Sequence, residues 1–314
     1  MLFLSINYLD RRRGLSGPPG PCRTVFAFFA LLLLALPARP QDPSPSNPSR
    51  TASDLFNRVI SNQKKGETTL DLFERTERVE KRRSGADSDP LDTKLWRLFP
   101  TGTGVDKLAL SLDGKPLNAE SYRGELQKLE NYLAWVAEAG PTQKEAYAKA
   151  QRKRKERFDL IEATHQAFLF TLEGKEMRGD RTLLRYSMTP NPDYQPTSRN
   201  TTLFPKVRGT LWIDEQSSEL AKVEGSVTQD VSIAFFLAKV YKGSHFLQER
   251  YEVAPGVWEP TFEQYDFDGR KYLAQFSIHE RTFYADYKRV GPPQEALAVV
   301  RAELNKLEAN QLSH

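Results

Sequence analysis

From about Glu162 to Val290 the chain alternates short half-apolar runs with tight-turn residues, and this rhythm constrains the fold more than any other feature. His165–Leu172, Arg181–Met188, Val207–Asp214 and Glu219–Val227 read as strands, the last two joined by a short turn at Glu215-Gln216-Ser217. In the fourth run, Ala221, Val223, Gly225 and Val227 alternate with Leu220, Lys222, Glu224 and Ser226. That is the period of a strand with one dry and one wet face. Ser244–Val253, Trp258–Phe267 and Lys271–Phe283 continue the series, and Asp268-Gly269 predicts a hairpin between the last two. Strands joined by tight turns run antiparallel, and a large antiparallel sheet twists and curls.

Helices flank this region. Ser53 is placed to cap a first helix with Leu55, Phe56, Val59 and Ile60 on one face and Gly66 as its stop. Thr68–Lys81, Lys94–Pro100 and Lys107–Leu112 then read as strands, with a turn at Asp113-Gly114. A helical insertion at 118–158 follows. Asn118 caps its first helix, whose Tyr122, Leu126, Leu129, Leu133 and Val136 recur at helical spacing. Thr142 and Glu145 form a capping box for the second. Residues 291–314 form a closing helix with Leu297, Val300, Leu304 and Leu307 as its stripe. The expected class is α+β: a curved antiparallel sheet with helices packed on one side.

The N-terminus carries a different signal. Arg11, Arg12, Arg13 and Arg23 precede the apolar run Val25–Leu36, and Pro37-Ala38-Arg39-Pro40 follows it. Residues 1–40 therefore read as a secretory signal peptide cleaved near Ala38, and residues 41–51 (QDPSPSNPSR and Thr51) as a disordered linker. Cys22 is the single cysteine and precedes the apolar run, so the mature chain has no thiol for disulfides, catalysis or metal binding. The expected location is the periplasm of a bacterial cell envelope, where the protein is soluble after cleavage.

No catalytic motif is present: there is no nucleophile elbow, zincin helix or phosphate-binding loop. Ser244 and His245 are neighbours on a strand and point to opposite faces, as do His279 and Glu280. His165, His245 and His279 all fall in expected strands without an organised ligand set. No enzyme, metal or cofactor is expected. A formal charge of +4 is too mild to indicate nucleic acid, and export argues against it too. The basic run Lys149–Arg157, with Lys153, Arg154 and Lys155 at its centre, has two readings. It is either a solvated helix face or a contact for anionic membrane or an acidic partner. The strand aromatics also have two readings, as ordinary core or as the lining of an apolar pocket. The candidate lining is Phe168, Phe170, Leu211, Ile213, Val223, Phe276 and Ile278, each at an alternate strand position with bulky apolar neighbours two residues away.

Three stretches carry a family resemblance. Gly209-Thr210-Leu211-Trp212-Ile213-Asp214 with Glu219–Gly225 is one; Val257-Trp258-Glu259-Pro260 through Asp268-Gly269-Arg270 to Tyr284-Ala285-Asp286-Tyr287 is the second; Leu112–Leu117 is the third. Together they resemble the LolA-like outer-membrane lipoprotein-sorting proteins, over most of residues 52–290. The resemblance implies an incomplete antiparallel barrel wrapped around a helix, with an apolar cavity for acyl chains. The insertion at 118–158 departs from the compact carrier. Two functions are therefore expected to compete. One is a non-catalytic periplasmic protein that holds lipid or lipoprotein acyl chains. The other is an envelope scaffold or sensor that binds a protein partner on its sheet face without lipid.

Overall fold

The computed structural model describes residues 48–83, 89–112, 114–138, 140–233 and 238–312. The signal-peptide reading of residues 1–40 lies outside them, as does the linker reading up to residue 47. Contacts divide the chain between Asp54 and Leu55, and the architecture that follows is that of the body from Leu55 onward.

Its elements in chain order are α1 (Pro48–Thr69), β1 (Phe73–Arg82), β2 (Pro90–Pro100), β3 (Val105–Leu112), β4 (Lys115–Pro116), α2 (Ala119–Ala137) and α3 (Pro141–Ala167). Then come β5 (Phe168–Arg178), β6 (Arg181–Pro190), β7 (Val207–Asp214), β8 (Leu220–Val227), β9 (Val231–Ile233), β10 (Ala238–Val240), β11 (His245–Ala254), β12 (Val257–Lys271), β13 (Ala274–Arg289) and α4 (Pro293–Leu312). The strands form one antiparallel sheet in the order β4-β3-β2-β1-β13-β12-β11-β8-β7-β6-β5, with β10 on β12 and β9 on β10. Its ends, β4 and β5, do not pair with each other, so the sheet is open rather than a closed barrel. This is the α+β class the strand rhythm predicts. No helix among the described residues is long and apolar enough to cross a membrane.

Directly paired residues share a face of a sheet. One such row runs Leu211–Val223–Gln248–Glu263–Thr282–Val79–Lys94 across seven strands. Helix α1 packs on the face that carries this row, over Leu211. Phe99 lies five residues from Lys94 and so on the opposite face, where it packs with Leu126, Leu129 and Leu133 of α2 and Val300 and Leu304 of α4. The expectation of helices on one side is thus corrected: two separate apolar ends of the sheet, on opposite faces, each take their own helical cover. The three leucines of α2 are completely buried, each contributing about 1.5–3 kcal/mol.

Four local expectations also shift. Helix α1 begins before Ser53 and runs through Gly66 to Thr69; Gly66 lies over Arg250 and Glu259, which a Cβ would meet at the ordinary contact distances of 3.4 Å (Nη2) and 3.5 Å (Oε1). Helix α3 starts at Pro141 with Gly140 as a cap without a side-chain bond. A proline at the first position already supplies the helical φ, so the Thr142 box is not used. The same helix continues to Ala167, which places His165 on a helix and not a strand. The fourth shift concerns the β12–β13 hairpin, which pairs as expected but turns at Tyr272-Leu273 instead of Asp268-Gly269. Gly269 lies inside the ladder, where a Cβ would come within 2.2 Å of Lys239 O and 2.5 Å of the Phe276 ring. The glycine serves the approach of β10, not a turn. Other local signals hold. Asn118 caps α2, its Oδ1 accepting from Ser121 N at 2.7 Å, and β7–β8 turn at 215–219 with Ser218 at φ 58°.

Candidate functional site

The face beneath α1 changes chemistry along its length. At the β5–β8 end, Leu55, Phe56 and Val59 of α1 meet Tyr186, Leu211 and Ile213, with Phe170, Leu184, Leu220 and Val223 half-buried around them. The Phe56 ring stacks on Phe170 and meets Tyr186 edge-on at 5.2 Å. The helix is tied down here by polar bonds: Arg58 Nε donates to Ser218 Oγ at 3.1 Å, and Asn62 Nδ2 donates to the Ser217 and Ser218 carbonyls.

Beyond Val223 the same row turns polar. Gln248 Nε2 donates to Glu263 Oε1 at 2.6 Å and the Tyr284 hydroxyl donates to Glu263 Oε2 at 3.2 Å. Burial raises the Glu263 carboxyl above its ordinary range, only partly offset by those two bonds. Burial, with the charges of Glu263 and Glu77, raises the Tyr284 phenol too. Glu263 and Tyr284 nevertheless remain half-buried. Gln248 Oε1 is buried with no hydrogen-bond partner. Under the C-terminal half of α1, Arg250 and Glu259 form an ion pair at 3.5 Å, both at most 2 % exposed. Such a pair holds two charges that would be costly to separate. Burial pushes the Glu259 carboxyl up to about 7 against the pull of Arg250.

The seven candidate lining residues do not converge. Phe170, Leu211, Ile213 and Val223 gather under α1, with Ile213 fully buried as core. Phe168 packs against Phe204 instead, with centroids 5.4 Å apart. Phe276 and Ile278 stand farther along the sheet opposite Gly269 and Phe267. In the basic run, Arg154 turns inward to pair with Asp71, Lys155 pairs with Asp159 at 2.6 Å on its own helix, and Lys153 is exposed. Arg157 pairs with Glu67 at 2.6 Å, and Lys64 of α1 with Glu162 of α3. Two cations of the run, Arg154 and Arg157, thus tie α3 to the end of α1 and the turn that follows it. No cluster among the described residues could hold a metal ion.

One arrangement escaped the sequence reading. His279 Nδ1 lies 2.9 Å from Asp266 Oδ1, and its Nε2 lies 2.8 Å from Ser277 Oγ. These are the contacts of a serine, histidine and acid relay. The serine hydroxyl, however, donates to Asp268 Oδ1 at 2.5 Å. Asp266 is held by two bonds from Arg281. A hydroxyl whose proton is committed to a carboxylate is not set up to pass it to the imidazole, so the group is a surface hydrogen-bond network. The signal that could have found it is the strand period: Ser277 and His279 are two apart, hence on one face, and opposite two aspartates once the register is known.

No family model matches the chain, and no curated protein matches it in sequence. Among solved structures it is similar to a LolA superfamily protein from Nitrosomonas europaea, at 11% identity over 78% of this chain and 96% of that one, with a TM-score of 0.25. It is also similar to an outer membrane lipoprotein-sorting protein domain from Vibrio parahaemolyticus, at 10% identity over 74% and 91%, with a TM-score of 0.27. A third is MucB, solved in complex with MucA, at 9% identity over 74% and 93%, with a TM-score of 0.21. The first two bear the names of the family that the strand and turn residues resemble.

Proposed function

We propose that this protein is a non-catalytic, exported binding protein of the bacterial envelope that holds a lipid or lipoprotein acyl chain on the α1 face of its open sheet. The observation that supports this reading is the chemical gradient along one row of that face, from Leu211 and Val223 to Gln248 and Glu263. An amphiphile matches such a row. Its chain lies against the half-buried Phe170, Leu184 and Val223, and its polar end meets the half-buried Glu263, whose carboxyl pKa burial raises. The arginine-rich, apolar N-terminus ending at Ala38 supports export.

Two measurements test it. Mass spectrometry of the gently purified protein should find bound lipid, and the protein should take up a fluorescent acyl chain from detergent. Absence of both refutes the reading. N-terminal sequencing should place the mature terminus near Gln41, and recovery of Met1 refutes the export step.

A protein partner is the second reading, and a specific observation favours it. β5 is an edge strand with one side unpaired, and it exposes Leu169, Leu172 and Met177 at 50%, 53% and 67%. An unpaired edge strand is a template for an added strand. A stoichiometric co-purifying protein with no lipid selects this reading.

A further inference from the structure

The β12–β13 hairpin outruns both of its neighbours. Its pairing with β11 ends at His245–Asp266, and with β1 at Lys81–Glu280. The ladder continues past these points from Phe267–Ile278 to Lys271–Ala274. Only the short β10 accompanies β12 there, from Val240–Gly269 to Ala238–Lys271, with β9 beside it. The hairpin therefore ends in an exposed two-residue turn, Tyr272-Leu273.

The chemistry of that tip runs against folding. A two-residue hairpin turn needs positive φ, which glycine and asparagine supply. Here Tyr272 takes φ 55°, a costly conformation for a bulky side chain. Leu273 beside it is 94% exposed and Tyr272 61%. Neither adds to a core. Residues that break a local rule without a folding gain point to function. Behind the tip stand Lys271 and Arg270 on β12; Lys239, opposite Arg270 on β10, pairs with Asp230 at 2.8 Å.

We propose that this tip docks the protein on an anionic lipid bilayer, with Tyr272 and Leu273 entering the interfacial layer and Arg270 and Lys271 meeting the headgroups. A bilayer is the occupant that fits. Two exposed side chains offer far less than the roughly 800 Å² per partner of a stable protein interface. An aromatic and an aliphatic backed by cations suit the boundary between headgroup and acyl chain. The inference is independent of what the α1 face holds.

The test is co-sedimentation of the protein as recovered from cells with phosphatidylcholine vesicles, with and without phosphatidylglycerol. Wild-type protein should bind the anionic vesicles and release at high salt. Tyr272→Asn with Leu273→Gly installs a favoured hairpin turn, so the double variant should fold with an unchanged or higher Tm. It should lose vesicle binding by about tenfold or more. Arg270→Gln with Lys271→Gln should remove most of the salt-sensitive part. Three results would overturn the proposal. These are a wild-type protein that binds no vesicles, a well-folded turn variant that binds them equally, or binding that responds only to Lys153→Glu and Lys155→Glu on α3. Lipid retained in solution is measured separately, so failure here leaves the acyl-binding reading to its own test.

Discussion

The ring of Phe56 on α1 stacks on that of Phe170 on β5, with centroids 4.5 Å apart and planes inclined by 23°. Phe56 is buried and Phe170 half-buried, so the same contact joins a core residue to an accessible one. Phe56→Ala should cost about 3–5 kcal/mol in urea unfolding, the range for an aromatic removed from a packed site. Phe170→Ala should cost less, about 1–2 kcal/mol, while lowering retained acyl chain. Equal destabilisation by both would mean that Phe170 is core and not part of a binding face.

Stability should fall as pH rises from mildly acid to neutral. The folded Glu259 carboxyl is pushed by burial up to about 7 from an ordinary value of 4.5. Between those values the folded protein holds a proton that the unfolded chain releases, so stability drops through the window and levels off above it. The size is roughly 3 kcal/mol, reinforced by Glu219, Glu263 and Glu280, which burial raises too. Asp266 acts oppositely. Burial would raise it, but bonds from Arg281, His279 and Gln264 hold it below 3.8, so its contribution is lost only in stronger acid. Urea midpoints at pH 5 and pH 8 measure the effect, and Glu259→Gln should flatten it.

Two glycines should respond with opposite signs. Gly269→Ala drives a methyl into Lys239 O and the Phe276 ring, and should cost about 1–3 kcal/mol or more by overpacking. Gly124 lies inside α2 with nothing within 4 Å of an added Cβ. Gly124→Ala should stabilise by about 0.5–1 kcal/mol through helix propensity and unfolded-state entropy. Differential scanning calorimetry of the two variants reads both signs.

The basic run should not behave uniformly. Lys153→Glu and Lys155→Glu change exposed charges and should each stay within about 0.5 kcal/mol. Arg154→Glu puts a carboxylate beside Asp71, where side-chain exposures of the native pair are 18% and 25%. It should cost about 1–2 kcal/mol. The three variants unfolded side by side separate a surface patch from a tertiary ion pair.

Sequence alone determined those features whose cause is local. The apolar spacing of α2 and α4, the Asn118 cap and the β7–β8 turn depend on residues within a few positions of one another, and the structure has them where the pattern predicts. The antiparallel character of the sheet follows from the same short links. What tertiary structure decided is where local signals compete with distant partners. Gly269 looks like a turn residue until β10 arrives beside it and Phe276 packs across it. Gly66 looks like a helix stop, yet α1 runs through it to Thr69, over Arg250 and Glu259 of the sheet. The face beneath α1 joins Leu211 to Gln248 and Glu263 through strand register, and a one-residue slip in any strand would reverse which side chains share it. That register is set by pairing between segments far apart in the chain, so this face exists only once the sheet has assembled.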